Sequence, residues 1–303
     1  MRTSLQARCV GRIAYRALKS LKAGSVGEIT NSFPNSFYVR TPDDELVFVT
    51  NLPVKSPITV NLDSDANFQQ LLKPLGRVFF EDAELRVGND LTIDLRTAST
   101  PPDQPNPTAL SIGQLGEAVH VATTILSFVE TDQSALDPES IAYKGAVEFV
   151  CKGILSLRDA GDSEVFRETA EKIVGLGPGF TPSGDDVLGG LLGTYNSLSQ
   201  AVRRPRILFD LEFLKKRTNW ISAKLLDYMQ RGIFDDQVAD LVRSVESANK
   251  DELIFALETL LPRGHTSGVD ISVGSVLALS VLRDVACNGH ETETTIRRLG
   301  FSN

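Results

Sequence analysis

Cysteine is scarce in this chain: Cys9, Cys151 and Cys287 are far apart and odd in number. Neither a disulfide framework nor a metal-ligand spacing can be built from them, so a reducing, cytoplasmic setting is the expectation. Long hydrophobic runs are missing too. The longest, around Val276 to Leu282, is far too short to span a bilayer. Positive charge is in deficit, with 31 Lys and Arg against 39 Asp and Glu, a net charge of −8. That balance argues against a broad nucleic-acid or anionic-membrane footprint, so any anionic ligand must be held by a local device.

What is present is ordinary globular material. The chain has 303 residues, 42% of them apolar and 23% charged, enough for two domains. The opening MRTSLQARCVGRIAYRALKSLKAG carries Arg2, Arg8, Arg12, Arg16, Lys19 and Lys22, with no acid before Glu28. A targeting presequence shares that pattern. The plainer reading is a first amphipathic helix with Val10, Ile13, Ala14, Ala17 and Leu21 on one face.

Residues 25–98 read as short β-strands, rich in Val, Ile, Phe and Thr and broken by turn formers such as Gly88-Asn89-Asp90. STPPDQPNP, Ser99 to Pro107, holds four prolines in nine residues and reads as a linker. From Thr108 onward the periodicity is helical, with helices expected over about 109–130, 137–158, 162–174, 185–200, 210–231, 235–247, 250–261, 269–286 and 291–299. The expected fold class is α+β: an N-terminal antiparallel β-barrel or sandwich domain over 1–104, then an all-α domain over 105–303.

GLGPGFTPSGDDVLGGLLG, Gly175 to Gly193, crowds seven glycines into nineteen residues. Gly179 to Gly184 satisfies G-x-x-x-x-G, yet Asp185 stands where a phosphate-binding loop needs lysine and Asp186 where it needs Ser or Thr. The dinucleotide fingerprint fails as well, because the glycine spacing is wrong and a helix precedes the loop. RGHTSGVDISVGSVLAL, from Arg263, repeats the first core at an offset of 84 residues. Ser183, Gly184, Asp186, Gly190 and Leu192 correspond to Ser267, Gly268, Asp270, Gly274 and Val276. Two loop-to-helix corners related by a pseudo-twofold axis are the expectation. S-x-x-D in each also fits a capping box with no ligand at all. The surplus of Gly175, Gly177, Gly179 and Asp185 goes beyond a cap and points to a ligand-facing loop.

Two helix N-termini directed at one cleft suit a small anion. Asp185, Asp186 and Asp270 suit a cation such as Mg²⁺, or the amide N–H groups of a substrate. Between the corners, Phe213, Arg217, Trp220, Ile221, Lys224 and Leu225 fall at helical spacing, and Thr218, Asn219 and Ser222 interrupt with small polar groups where a packed helix can face a cleft; a surface helix with Trp220 in the core fits the spacing at least as well. His120 and His290 read as structural or exposed.

At these residues the sequence resembles a known bacterial family, long uncharacterised, that includes the third subunit of the oxamate carbamoyltransferase of allantoin degradation. RTNWISAKLL with RGIF, and GHTSGVDISVG, are similar to that family's remaining motifs, and SFPNSFYVRT to its N-terminal strand region. Phe180 stands where an aliphatic residue is expected. The resemblance implies a carbamoyl-transfer assembly that interconverts oxalurate and phosphate with oxamate and carbamoyl phosphate, with partner subunits or a homo-oligomer. The expected catalytic candidates are Asp185, Asp186, His265 and Asp270. The expected ligand contacts are Gly177, Gly179, Thr181, Ser183 and Gly184 of the first corner, Gly264, Thr266, Ser267 and Gly268 of the second, and Arg217, Thr218 and Ser222. A metal-dependent hydrolase using the three aspartates and a non-catalytic partner subunit remain as alternatives.

Overall fold

The computed structural model describes residues 3–21, 26–72, 76–105, 107, 109–129, 132 and 134–301. Arg2, Lys22, Ser25, Asn106, Thr108 and Glu130, on which some expectations above fall, lie outside the described residues. The chain divides into two compact units, Met1–Asp103 and Gln104–Asn303.

In the first unit, short runs rich in β-branched and aromatic residues form strands, several of them alternating inward and outward side chains, as in Thr3–Val10, Glu84–Val87 and Leu91–Asp94. The strands are β1 (Thr3–Val10), β2 (Gly27–Phe33), β3 (Ser36–Arg40), β4 (Leu46–Thr50), β5 (Thr59–Leu62), β6 (Arg77–Glu81), β7 (Glu84–Val87) and β8 (Leu91–Asp94). They close into a barrel in the order β1-β5-β4-β3-β2-β6-β7-β8. Most neighbours are antiparallel, but β1 with β8 and β4 with β5 are parallel. The β6–β7 hairpin turns on Asp82 and Ala83, both at positive φ (50° and 61°), the twist that two-residue hairpins favour. Phe37, Val39, Val49, Val78, Leu85 and Ile93 fill the interior with no exposure. Two short helices complete the unit, α1 (Arg12–Lys19) and α2 (Phe68–Leu71), the latter placing Phe68 against Phe37 with ring centroids 5.2 Å apart.

The expected N-terminal helix is therefore half wrong. Thr3–Val10 is a strand, with Ala7 and Cys9 buried while Ser4, Gln6 and Arg8 face outward. Only Arg12–Lys19 is helical, burying Ala14, Ala17 and Leu18. Alternation in the first ten residues outweighs the helical spacing of Val10 with the residues beyond it.

The second unit is helical: α3 (Ile112–Leu126), α4 (Ile141–Glu148), a π-helical turn (Phe149–Ile154) leading into α5 (Leu155–Ala160), α6 (Glu164–Ile173), α7 (Ser183–Leu198), α8 (Leu211–Arg217), α9 (Trp220–Gln230), α10 (Asp236–Ser247), α11 (Lys250–Leu260), α12 (Ser267–Cys287) and α13 (Glu291–Arg298). The single helix expected over 210–231 is two, because Asn219 caps α9 by accepting the Ser222 N–H at 3.0 Å. Every residue of α7 is buried, and α12 is buried without interruption from Gly268 to Leu282. A helix buried on all sides marks the centre of a helical core, and the other helices pack around this pair. No described helix is long and apolar enough to cross a membrane.

Candidate functional site

Two corners, α6 to α7 and α11 to α12, are built alike. Gly184 and Gly268 are each the second residue of their helix. A Cβ at Gly184 would stand 1.9 Å from the carbonyl oxygen of Ile173, the last residue of α6; one at Gly268 would stand 2.0 Å from that of Leu260, the last of α11. Their N–H groups donate back into the preceding loops, to Leu176 (2.8 Å) and Arg263 (3.0 Å). Side chains at these positions would push each helix off its corner.

The central helices meet reciprocally. A Cβ at Gly190 would lie 2.1 Å from the Ile271 carbonyl oxygen, and one at Gly274 would lie 2.0 Å from that of Val187. Ile271 is Val187 shifted by 84, so each glycine admits the equivalent backbone of the other helix. Thr181 Oγ1 and Ser267 Oγ meet at 3.2 Å, and further along Thr194 Oγ1 donates to Ser275 Oγ at 3.0 Å. Contacts in the same order along both helices mean that α7 and α12 run parallel, with their N-termini together. The 84-residue repeat is thus a structural repeat about a pseudo-twofold axis. Two converging N-termini concentrate partial positive charge at one end of the pair.

The capping-box reading does not hold. Ser183 and Ser267 are the first helical residues, the caps are Pro182 and Thr266, and neither makes a side-chain capping bond to the first turn. One position past the cap, the serines turn to the neighbouring helix instead of to their own first turn.

The aspartates divide between two roles. Asp186 is 8% exposed and accepts from Thr181 Oγ1 at 3.1 Å. Burial pushes its pKa up to about 8 and the Asp270 charge adds to this, against the Ser267 and Thr181 hydroxyls and the Arg263 guanidinium. Asp270 is fully buried, and its Oδ1 accepts the Ala135 N–H at 2.7 Å. Burial raises its pKa to about 6, opposed by that N–H and by the Ser183 and Thr266 hydroxyls. The Ser183 hydroxyl is close enough to act on Asp270, yet Ser183 Oγ and Asp270 Oδ2, both buried, complete no hydrogen bond. Each serine therefore stands beside the aspartate of the other helix, as the repeat requires.

Asp185 faces the other way. Its Oδ1 accepts the Gly175 N–H at 2.7 Å, and its Oδ2 accepts from Thr218 Oγ1 (2.5 Å) and Ser222 Oγ (2.6 Å). Burial raises its pKa while these three donors lower it. Thr218 and Ser222 are thereby brought to Asp185 rather than to the Asp186–Asp270 pair. Gly175 is required here, because a Cβ would stand 2.2 Å from the Arg217 carbonyl oxygen. Gly177 and Gly179 adopt φ of 108° and 103°, values that side-chain-bearing residues rarely take. Asn219 Nδ2 ties the loop to α9 by donating to the Phe180 carbonyl at 2.9 Å.

The remaining candidates are peripheral. The Arg217 side chain lies half-exposed over Phe213 and 3.7 Å from Glu171. His265 and Gly264 are exposed on the second loop. Arg263 is ion-paired with Asp235. Among the described residues no group of three or more His, Cys, Asp or Glu is placed to hold a metal ion, and the three aspartates do not converge. Sequence reasoning missed the Ala135 N–H, a backbone donor with no residue-type signature. His120 and His290 each line a cleft elsewhere, of about 230 and 300 Å³.

Two family models match the chain. One, described as the AllH family N-terminal domain, covers residues 6–100. The other, described as oxamate carbamoyltransferase subunit AllH, covers residues 173–279 and so contains both corners. No solved structure matches.

Proposed function

The chain belongs to the AllH family, and on that premise we propose that it is the ligand-binding subunit of a cytoplasmic carbamoyltransferase assembly. Its ligand is a small anionic metabolite of the carbamoyl phosphate, phosphate, oxamate and oxalurate group, bound where α7 and α12 begin. Partner subunits supply the rest of the enzyme.

The observation that carries this reading is the bridged pair of helix starts. Thr181 and Ser267 join across the gap at 3.2 Å, beside Asp186, which accepts from Thr181; the pKa values of Asp186 and of its counterpart Asp270 are raised to about 8 and about 6. Perturbed carboxyl groups at converging helix ends support the reading of this corner as a site. Each N-terminus contributes roughly 0.3–1 kcal/mol toward an anion at exposed positions and more in a dry one. The chemistry is electrostatic positioning of a carbamoyl or phosphate group; no covalent nucleophile is invoked.

The test is a thermal-shift screen of the full chain with phosphate, carbamoyl phosphate, oxamate, ATP and divalent metals. Carbamoyl phosphate or oxamate raises Tm by several degrees, and Mg²⁺ alone does not. A flat response to every anion sinks the reading.

A further inference from the structure

Helix α11 keeps one face open to solvent. Lys250, Asp251, Phe255, Glu258 and Thr259 are exposed along it, and Phe255 is 68% exposed. Between α11 and α3 runs a cleft of about 230 Å³, lined by Val121, Ile125 and Ile254 together with Lys250 and Glu258. A single exposed apolar side chain is ordinary, but an open phenylalanine beside a cleft with aliphatic lining offers a surface for a partner.

The charges of α11 indicate which partner. Lys250, Ile254 and Glu258 follow at intervals of four and so share one face of the helix. Lys250 and Glu258 lie about 12 Å apart along its axis, with Ile254 midway. Among the described residues neither charge has an ion-pair partner. A base and an acid placed equally far from an apolar centre are complementary to themselves under a twofold rotation. A different partner places no such demand on the spacing.

We propose that this face is the contact surface of a homodimer, with the α11 helices of two copies packed antiparallel across a twofold axis. Lys250 of each copy pairs with Glu258 of the other, while Ile254 and Phe255 meet near the axis. Each Phe255 covers the cleft of the opposite copy, and Asp251 falls opposite Thr259, so no like charges meet on that row. A parallel pairing keeps like charges level with each other and forms neither ion pair. The ligand site at the starts of α7 and α12 has no part in this contact.

Sedimentation equilibrium of the full chain provides the test, at low salt where exposed charges are least screened. Wild type self-associates as a dimer at about 50 µM. Lys250→Glu and Glu258→Lys each weaken the dimer at least tenfold, because the twofold axis applies each change twice. The variant carrying both changes recovers the wild-type affinity within threefold. An equimolar mixture of the two single variants recovers it as well, since every contact is again Lys to Glu. Phe255→Ala, at an exposed position, weakens the dimer at least tenfold while leaving the circular dichroism spectrum unchanged. A wild type still monomeric at about 200 µM overturns the proposal and leaves the face to an unlike subunit. A dimer that neither charge reversal weakens overturns it too, as does one that neither the double variant nor the mixture restores.

Discussion

Gly190 of α7 rests on the backbone of Ile271 in α12 so closely that a Cβ would fall 2.1 Å from the Ile271 carbonyl oxygen, and Gly274 repeats the contact on Val187 at 2.0 Å. Neither obstacle is the movable end of a side chain. Gly190→Ala must therefore part the two central helices or bend one, and the equivalent Gly274→Ala does the same. Overpacking of this kind costs about 1–3 kcal/mol, with backbone clashes at the upper end. Chemical denaturation of either variant is expected to show that loss. The double variant loses less than the sum, since the first substitution already separates the pair. Tm values within two degrees of wild type for both singles would contradict the close approach.

Asp185 gives a different signature, because it joins three pieces of chain. Asp185→Ala leaves the Gly175 N–H and the Thr218 and Ser222 hydroxyls without their acceptor. Asp185→Ala costs on the order of 3 kcal/mol, about 1 kcal/mol for each donor left without its acceptor, whereas Ser222→Ala removes one donor and costs about 1 kcal/mol. Urea melts separate the two cases. If Asp185→Ala keeps full stability and loses only ligand binding, Asp185 is a ligand contact and not a latch.

The parts of the molecule visible in the sequence were those with a period or a punctuation mark. Strands β2 to β8 were marked by their Val, Ile, Phe and Thr content and by turn residues, and α7 and α12 by a repeat at a fixed offset. What escaped depended on contacts between distant segments. β1 was obscured by Arg8 and the basic residues that follow it, and the outward position of Arg8 becomes evident only once β5 and β8 flank the strand. The break at Thr218-Asn219 hid inside a continuous helical pattern. The S-x-x-D pattern suggested caps, but Pro182 and Thr266 take the cap positions and release Ser183 and Ser267 to the opposite helix. Asp185 and Asp186 are adjacent in sequence and face opposite ways, since neighbours on a helix point about 100° apart. No pattern of residue types could assign one to α9 and the other to α12.

The pH dependence of stability follows from Asp186 and Asp270. Both have folded-state pKa values above the ordinary 3.8, at about 8 and about 6, mainly because burial disfavours the ionised forms. The native state therefore holds protons that the unfolded chain has already released. Stability from these groups is complete below about pH 4 and is lost as pH rises, at up to about 1.4 kcal/mol per pH unit for each group still protonated only in the native state. Both contribute between pH 4 and 6; above pH 6 Asp270 drops out and Asp186 alone continues to about pH 8. Asp186→Asn keeps an acceptor for Thr181 but cannot ionise, so its profile is flat relative to wild type between pH 6 and 8, and the variant is the more stable at pH 8.5. Urea melts of the two proteins at half-unit steps from pH 5 to 8.5 measure the difference directly. Parallel profiles across pH 6 to 8 mean that Asp186 is already ionised in the native protein.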